Sequence, residues 1–312
     1  MNVDESIKPL IHALAAQGWG PREFAANHLG YAAALHLGAD SGPVHASFER
    51  YWRTVARISA LLRGAGIFHV IIKTRRNYPY SDTNVDVYIQ DGDWPAVREI
   101  LSRDKWRMPS RAVRFKQRLI ERAKIKLPPR APDFVPAHVY HAVSWRYQRD
   151  VTFLDPQMVE EVPLVSEAPQ LEGEVGSQTV PMPTRPADLL LHSAEIVFEN
   201  YRIALGEVLY MSWLLQNVSP LDQRRVYRLG IERGAGKALR CIVRQARAIE
   251  GKDGAEVGVD WPKNFSVREL VGAWWERLAE QARQGRGLSG IEEFVGYASW
   301  ASMYRVKRAL FK

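Results

Sequence analysis

Asp82, Asn84 and Asp86 stand two residues apart in Tyr80-Ser-Asp-Thr-Asn-Val-Asp-Val-Tyr-Ile89, where the last five positions read as a strand. In a strand, residues two apart point to one face, so these three oxygen-bearing side chains can reach one metal ion together. Oxygen donors of this kind suit Mg²⁺, which takes one or two carboxylates and completes its octahedron with water and phosphate oxygens. Asp86 is the best single candidate, because a carboxylate inside a buried-type strand costs stability unless something offsets it. Asp82 falls in Ser-Asp-Thr-Asn, which is also an ordinary turn composition.

The flanking elements supply what such a site needs. From Val44 to Leu62 the apolar residues Phe48, Tyr51, Val55, Ile58, Leu61 and Leu62 follow the 3.6-residue period of an amphipathic helix, and Gly64-Ala65-Gly66 stops it. Phe68–Ile72 and Val85–Ile89 are short β-branched runs, joined by a polar loop. Helix, buried strand, polar loop and acid-bearing strand is the order that holds a nucleoside triphosphate with Mg²⁺. Further along, Asp93-Trp94-Pro95 opens a helix that ends near Asp104. Helical spacing is expected over Ser110–Lys126, and strands over Ala137–Trp145 and Arg149–Leu154. The first 40 residues read as two short helices. Residues 156–186 read as a connection with two weak strand-like pieces, Val162–Val165 and Gln178–Met182. Helices are expected over 187–217, 221–250, 266–283 and 291–310. The fold class is therefore α+β, followed by an all-α C-terminal region, with segments at 1–43, 44–155, 156–186 and 187–312.

The chain has 312 residues, 46% of them hydrophobic, which excludes a disordered or collagen-like polymer. No apolar run approaches the ~20 residues of a membrane span. The opening MNVDESIK lacks a signal-like apolar segment, and the one cysteine, Cys241, cannot form an internal disulfide. A cytoplasmic location and no membrane partner are expected. The net charge is +8, and it is unevenly spread. Residues 103–130 hold eleven Lys and Arg against two acids, whereas 156–176 hold five Glu and no base. Arg111, Arg114, Arg118 and Arg122 would line one helical face, either as a solvated surface or as a groove that tracks nucleic-acid phosphates.

Four segments carry a resemblance: HVIIKT (69–74), YSDTNVDVYI (80–89), HVYHAVSW (138–145) and MPTRPADLLLHSAEIVFENY (182–201). Together they resemble the nucleotidyltransferase-like superfamily, in its branch of bacterial and archaeal nucleotidyltransferases. That branch has a strand ending in Lys-Gly or Gly-Ser, a loop, and an Asp-x-Asp strand. It also has an Asp-Leu-His-Trp-like strand and a Pro-Ser/Thr-x-x-Asp/Glu-x-Leu-Leu helix entry with a His one turn later.

The resemblance implies a mixed sheet with flanking helices and a site for Mg²⁺ and NTP. Asp86 and Asp82 would be the catalytic acids, and Asp82, Asn84 and Asp86 the metal ligands. Lys73, Thr74, Arg75 and Arg76 would bind the nucleotide. This sequence departs from the pattern in three places. Asn84 stands where the first acid is expected, and Thr74 where the phosphate loop has Gly. The third acid position falls near Val139, with Asp150 and Asp155 as replacements. Two functions stay open on these grounds. One is transfer of a nucleoside monophosphate from an NTP to a hydroxyl acceptor. The other is a catalytically degenerate module that binds nucleic acid or a protein partner, as in toxin–antitoxin or defence systems.

Two histidines on one strand and a third on a helix add little to this chemistry. His138 and His141 lie three apart on a strand, so they face opposite ways. His192, with Glu195 three residues on, reads mainly as a polar patch packed against the first domain. Trp274 and Trp275 read as core.

Overall fold

The computed structural model describes residues 3–38, 42–110, 124–140, 156–164, 178–200, 202–250, 252, 254–257 and 260–285. The expected Arg111, Arg114, Arg118 and Arg122 face, His141, Asp150, Asp155 and the 291–310 helix lie outside these residues.

Three helices open the chain, α1 (Val3–Ala16), α2 (Pro21–Ala26) and α3 (Gly30–Leu37), one more than the sequence pattern suggests. α4 (Gly42–Gly64) buries the expected apolar face, and Gly66 leaves it at φ 69°. A four-stranded mixed sheet follows, made of β1 (His69–Ile72), β2 (Val85–Ile89), β3 (Lys124–Leu127) and β4 (Ala137–Tyr140), with α5 (Trp94–Arg103) between β2 and β3. The strand order is β1-β2-β4-β3. β1 is antiparallel to β2, β2 parallel to β4, and β4 antiparallel to β3. Lys124–Lys126, expected in a helix, belong to β3. Lys-Ile-Lys-Leu alternates with period two, so its apolar residues share one face and its lysines the other.

That alternation sorts the whole sheet. One face places Ile71, Val87 and Val139 in register and packs on Phe48, Trp52 and Val55 of α4 and Val97 and Leu101 of α5. The other face carries two rows, Ile72-Asp86-His138-Lys126 and Val70-Tyr88-Tyr140-Lys124. Its apolar members share a core with the C-terminal helices. The polar residues of the sheet are thus gathered on the side that meets the second half of the chain.

β5 (Val159–Pro163) and β6 (Thr179–Pro183) pair antiparallel and lead into α6 (Arg185–Glu195). The expected single helix over 187–217 is interrupted by a π-turn at Ile196–Asn200 and by β7 (Arg202–Ile203), which pairs with β8 (Lys263–Asn264). Then come α7 (Leu205–Asn217), α8 (Pro220–Glu232), α9 (Gly236–Ile249), the short α10 (Gly254–Val257) and α11 (Val267–Arg283). Gly234, at φ 68°, breaks the expected 221–250 helix in two, and a Cβ there would lie 3.0 Å from Arg277 Cα. Ser219 and Ser266 cap α8 and α11 by accepting from Asp222 and Glu269 backbone N–H groups. α1 to α3 join the same core as α6 to α9. Trp274 is buried there, but Trp275 is 68% exposed, which corrects the expectation for that residue. Among the described residues no helix is long and apolar enough to cross a membrane.

Candidate functional site

Asp86 sits at the centre of the polar face, 7% exposed. Cross-strand register sets His138 of β4 beside it, with Nδ1 3.2 Å from Oδ1. Lys73 approaches from the end of β1 with Nζ 3.6 Å from Oδ2. Lys73 also stands 2.5 Å from Glu195 Oε1 of α6 and donates to the Tyr140 hydroxyl at 3.1 Å. Lys124 of β3 donates to the same hydroxyl at 3.3 Å. Lys73 adopts φ 65°, a left-handed conformation uncommon for a residue with a side chain, at the point where β1 turns into the loop.

Burial opposes ionisation of Asp86, but Lys73 above all, then His138 and Lys124, outweigh it and hold the carboxyl well below the usual range. The carboxylate is therefore charged at neutral pH. His138 Nδ1, 3.2 Å away, is the donor nearest Oδ1 and helps to hold the carboxylate ionised, although its alignment falls short of a regular hydrogen bond. A buried carboxylate compensated by Lys73, His138 and Lys124 is a perturbed ionisable cluster of the kind that gathers at functional sites.

Asp82, Thr74, Arg75 and Arg76 engage partners other than Asp86. Asp82 lies in the loop before β2, where Oδ2 accepts from the Tyr80 hydroxyl at 2.8 Å and Oδ1 from the Thr83 backbone N–H at 2.6 Å. It borders a separate apolar cavity of about 650 Å³ walled by Trp19, Phe24, Tyr31 and Tyr80. Asn84 is half-buried in the bend that enters β2. Thr74 is engaged with the Ile72 carbonyl and the Tyr51 hydroxyl, and Arg75 with Glu160 and the Pro183 carbonyl. Only Lys73, of the four residues expected to bind nucleotide, reaches Asp86. Lys124, Tyr140, His138 and Glu195 complete the cluster. The period-two pattern of Lys124–Leu127, the strand position of His138 and the helical spacing of Glu195 after His192 are the signals in the sequence that point to them.

Arg76 builds a second network. Its Nη1 donates to His192 Nε2 at 2.8 Å, so that nitrogen is the acceptor and the imidazole proton resides on Nδ1. Nδ1 then donates to Asp188 Oδ1 at 2.9 Å, and the Tyr210 hydroxyl donates to Asp188 Oδ2. The guanidinium lies over Tyr80 and Tyr210, 4.4 and 5.0 Å from their centroids. Burial pushes the Asp188 carboxyl up, but His192, Tyr210 and Arg76 together bring it below its ordinary value. This network ties the loop after β1 to α6 and α7, which places His192 in a polar contact with the sheet-bearing half.

The sequence matches no protein-family model and no curated protein. The chemistry of the site must be judged from its donors. Among the described residues no three His, Cys, Asp or Glu side chains form a metal-holding group. On the sheet itself Asp86 is the carboxylate of this cluster, and Mg²⁺ held by one protein carboxylate needs phosphate and water oxygens to complete its shell. A two-ion site bridged by three carboxylates lacks its donors among the described residues.

Proposed function

We propose that this chain is a nucleotidyltransferase-like protein that binds a nucleoside triphosphate with Mg²⁺ around Asp86, and that it serves as a binding module. The observation that carries this reading is the Asp86 carboxylate itself. It is buried and held ionised by Lys73, His138 and Lys124, and no aligned donor bonds its Oδ1. Asp86 would hold the ion. Lys73, with Lys126 in the row of Asp86 and Lys124 in the next, would supply positive charge to the phosphate oxygens. When bound, Mg²⁺ would neutralise the triphosphate charge that otherwise opposes Asp86. Transfer chemistry of this class relies on carboxylates that bridge two ions at the attacking and leaving oxygens. The two carboxylates of the described cluster, Asp86 and a Glu195 engaged by Lys73, fall short of that set and support retention of a nucleotide more than its transfer.

Calorimetric titration of ATP and GTP, with and without Mg²⁺, tests the binding, and incubation with α-labelled NTP tests for transfer. The expected result is Mg²⁺-dependent binding that Asp86→Asn weakens by at least about ten-fold, with no label incorporated. Affinity that is indifferent to Mg²⁺ and to the substitution would overturn the binding site. Label transferred to protein or RNA would replace the module with an enzyme.

A further inference from the structure

The C-terminal helices hold a second charged surface, remote in sequence from Asp86 and independent of the nucleotide reading. On α9, Lys237, Arg240, Arg244 and Arg247 recur at intervals of three and four residues, so they form one stripe along the helix, and all four are exposed. At a rise of about 1.5 Å per residue the stripe is roughly 15 Å long, with a cation about every 5–6 Å. That interval is close to the repeat of phosphates along an extended nucleic-acid strand.

The acids nearby do not cancel the stripe outward. Glu269 pairs with Arg244, and Glu276 stands 3.8 Å from Arg240, but both lie in the seam between α9 and α11. Their side chains are 20% and 13% exposed, against 64% and 48% for the two arginines. Lys237, Arg247 and Arg268 have no ion-pair partner among the described residues.

α11 adds an aromatic edge to the stripe. Arg268, Gly272 and Trp275 fall at i, i+4 and i+7 on one face of that helix. Lys237 passes over Gly272, its Nζ 4.0 Å from where a Cβ would stand, so the lysine and the indole share one side. Trp275 is 68% exposed, with exposed Val271 beside it. A cleft between the N-terminal half of α9 and the first turns of α11, with Arg240, Arg244, Arg268 and Glu269 on its walls, opens onto this surface. A row of cations that tracks phosphates, flanked by an indole on which an unpaired base can stack, is the chemistry that holds single-stranded nucleic acid.

We infer that Lys237, Arg240, Arg244, Arg247 and Arg268, with Trp275, form a binding surface for single-stranded nucleic acid on α9 and α11. The backbone runs along α9, and a base rests on the indole. Sequence preference is low, because the surface offers only charge and a π-face.

The test uses the full chain and a fluorescein-labelled oligouridylate, with anisotropy measured across a salt series. Wild type is expected to bind with a linear log–log salt dependence. Lys237→Ala/Arg247→Ala/Arg268→Ala should reduce the slope by about 2, at about 0.7 for each phosphate no longer neutralised, and weaken binding at low salt at least ten-fold. Trp275→Ala should weaken binding by about ten-fold while Trp275→Phe retains it. All four positions are exposed, so thermal unfolding of each variant should match wild type. No binding by wild type, or an unchanged slope in the triple variant, would overturn the surface; the latter would assign any binding to another basic segment. Binding to phosphatidylserine vesicles with none to the oligonucleotide would also overturn it.

Discussion

Asp86 and Asp188 are both buried carboxylates held ionised by their neighbours, Lys73 foremost at the first and His192 foremost at the second, yet their surroundings differ in one respect. Both oxygens of Asp188 accept hydrogen bonds, from His192 and from Tyr210. Asp86 Oδ1 has no aligned donor, with His138 Nδ1 at 3.2 Å, and Oδ2 has Lys73 Nζ at 3.6 Å. A fully satisfied buried charge fixes structure, because every group around it has one arrangement that works. A partly satisfied one keeps a position open for something else. The difference separates a clasp between the two halves of the chain from a site.

The largest effect should come from breaking the clasp. Asp188→Ala leaves the Arg76 guanidinium buried without its acid and the His192 and Tyr210 donors without an acceptor, and removal of one member of a buried pair costs about 3–5 kcal/mol. Urea unfolding should show a midpoint lowered accordingly. Asp86→Asn should cost less, about 1–2 kcal/mol, because Lys73 keeps Glu195 and Lys124 keeps Tyr140. Equal losses in the two variants would erase the difference between clasp and site.

Acid should sharpen the same comparison. Both carboxyls are depressed in the folded state, so their contribution is complete above the unfolded value of about 3.9 and is lost as pH falls through the lower folded values. His69 acts earlier. It is buried between the Ser59 hydroxyl and the Ile67 carbonyl, and burial lowers its pKa, so the unfolded chain takes up the proton first. Stability should therefore decline as pH falls through about 6.5, then steeply below about 4. Urea midpoints across pH should show both phases, and His69→Gln should flatten the first while leaving the second.

Much of the sheet is legible in the residues alone. The change of period at Gly64–Gly66 marks the end of α4 and the start of β1, and Val85–Ile89 declares its strand by its β-branched run. The parity that singles out Asp86 survives in the register with His138. What the sequence hides depends on partners distant along the chain. The loop after β1 reads as polar and nucleotide-binding, but its Arg75 meets Glu160, 85 residues on, and Arg76 meets His192, 116 residues on, and both are buried. β3 is masked by its basic neighbours, whose spacing suits a helix. Trp275 and Trp274 look alike in sequence; only the packing of α11 sends Trp274 inward and Trp275 out.

The smallest effect should come from adding to the site. Asn84→Asp places a second carboxylate two residues before Asp86, and should raise Mg²⁺ affinity by about five-fold with little change in stability, since ligand charge tunes such sites. Titration calorimetry with Mg²⁺ and a fixed nucleotide would detect it. An unchanged affinity would show that residue 84 does not face the ion.

The open oxygen of Asp86 is tested most directly by the Mg²⁺ dependence of ATP affinity in wild type and in Asp86→Asn, measured by calorimetry on protein confirmed as folded. Wild type should bind ATP more tightly with Mg²⁺ than without it, and Asp86→Asn should abolish this advantage while the lysines retain residual metal-free binding. The same Mg²⁺ advantage in both proteins would contradict a metal-holding role for Asp86.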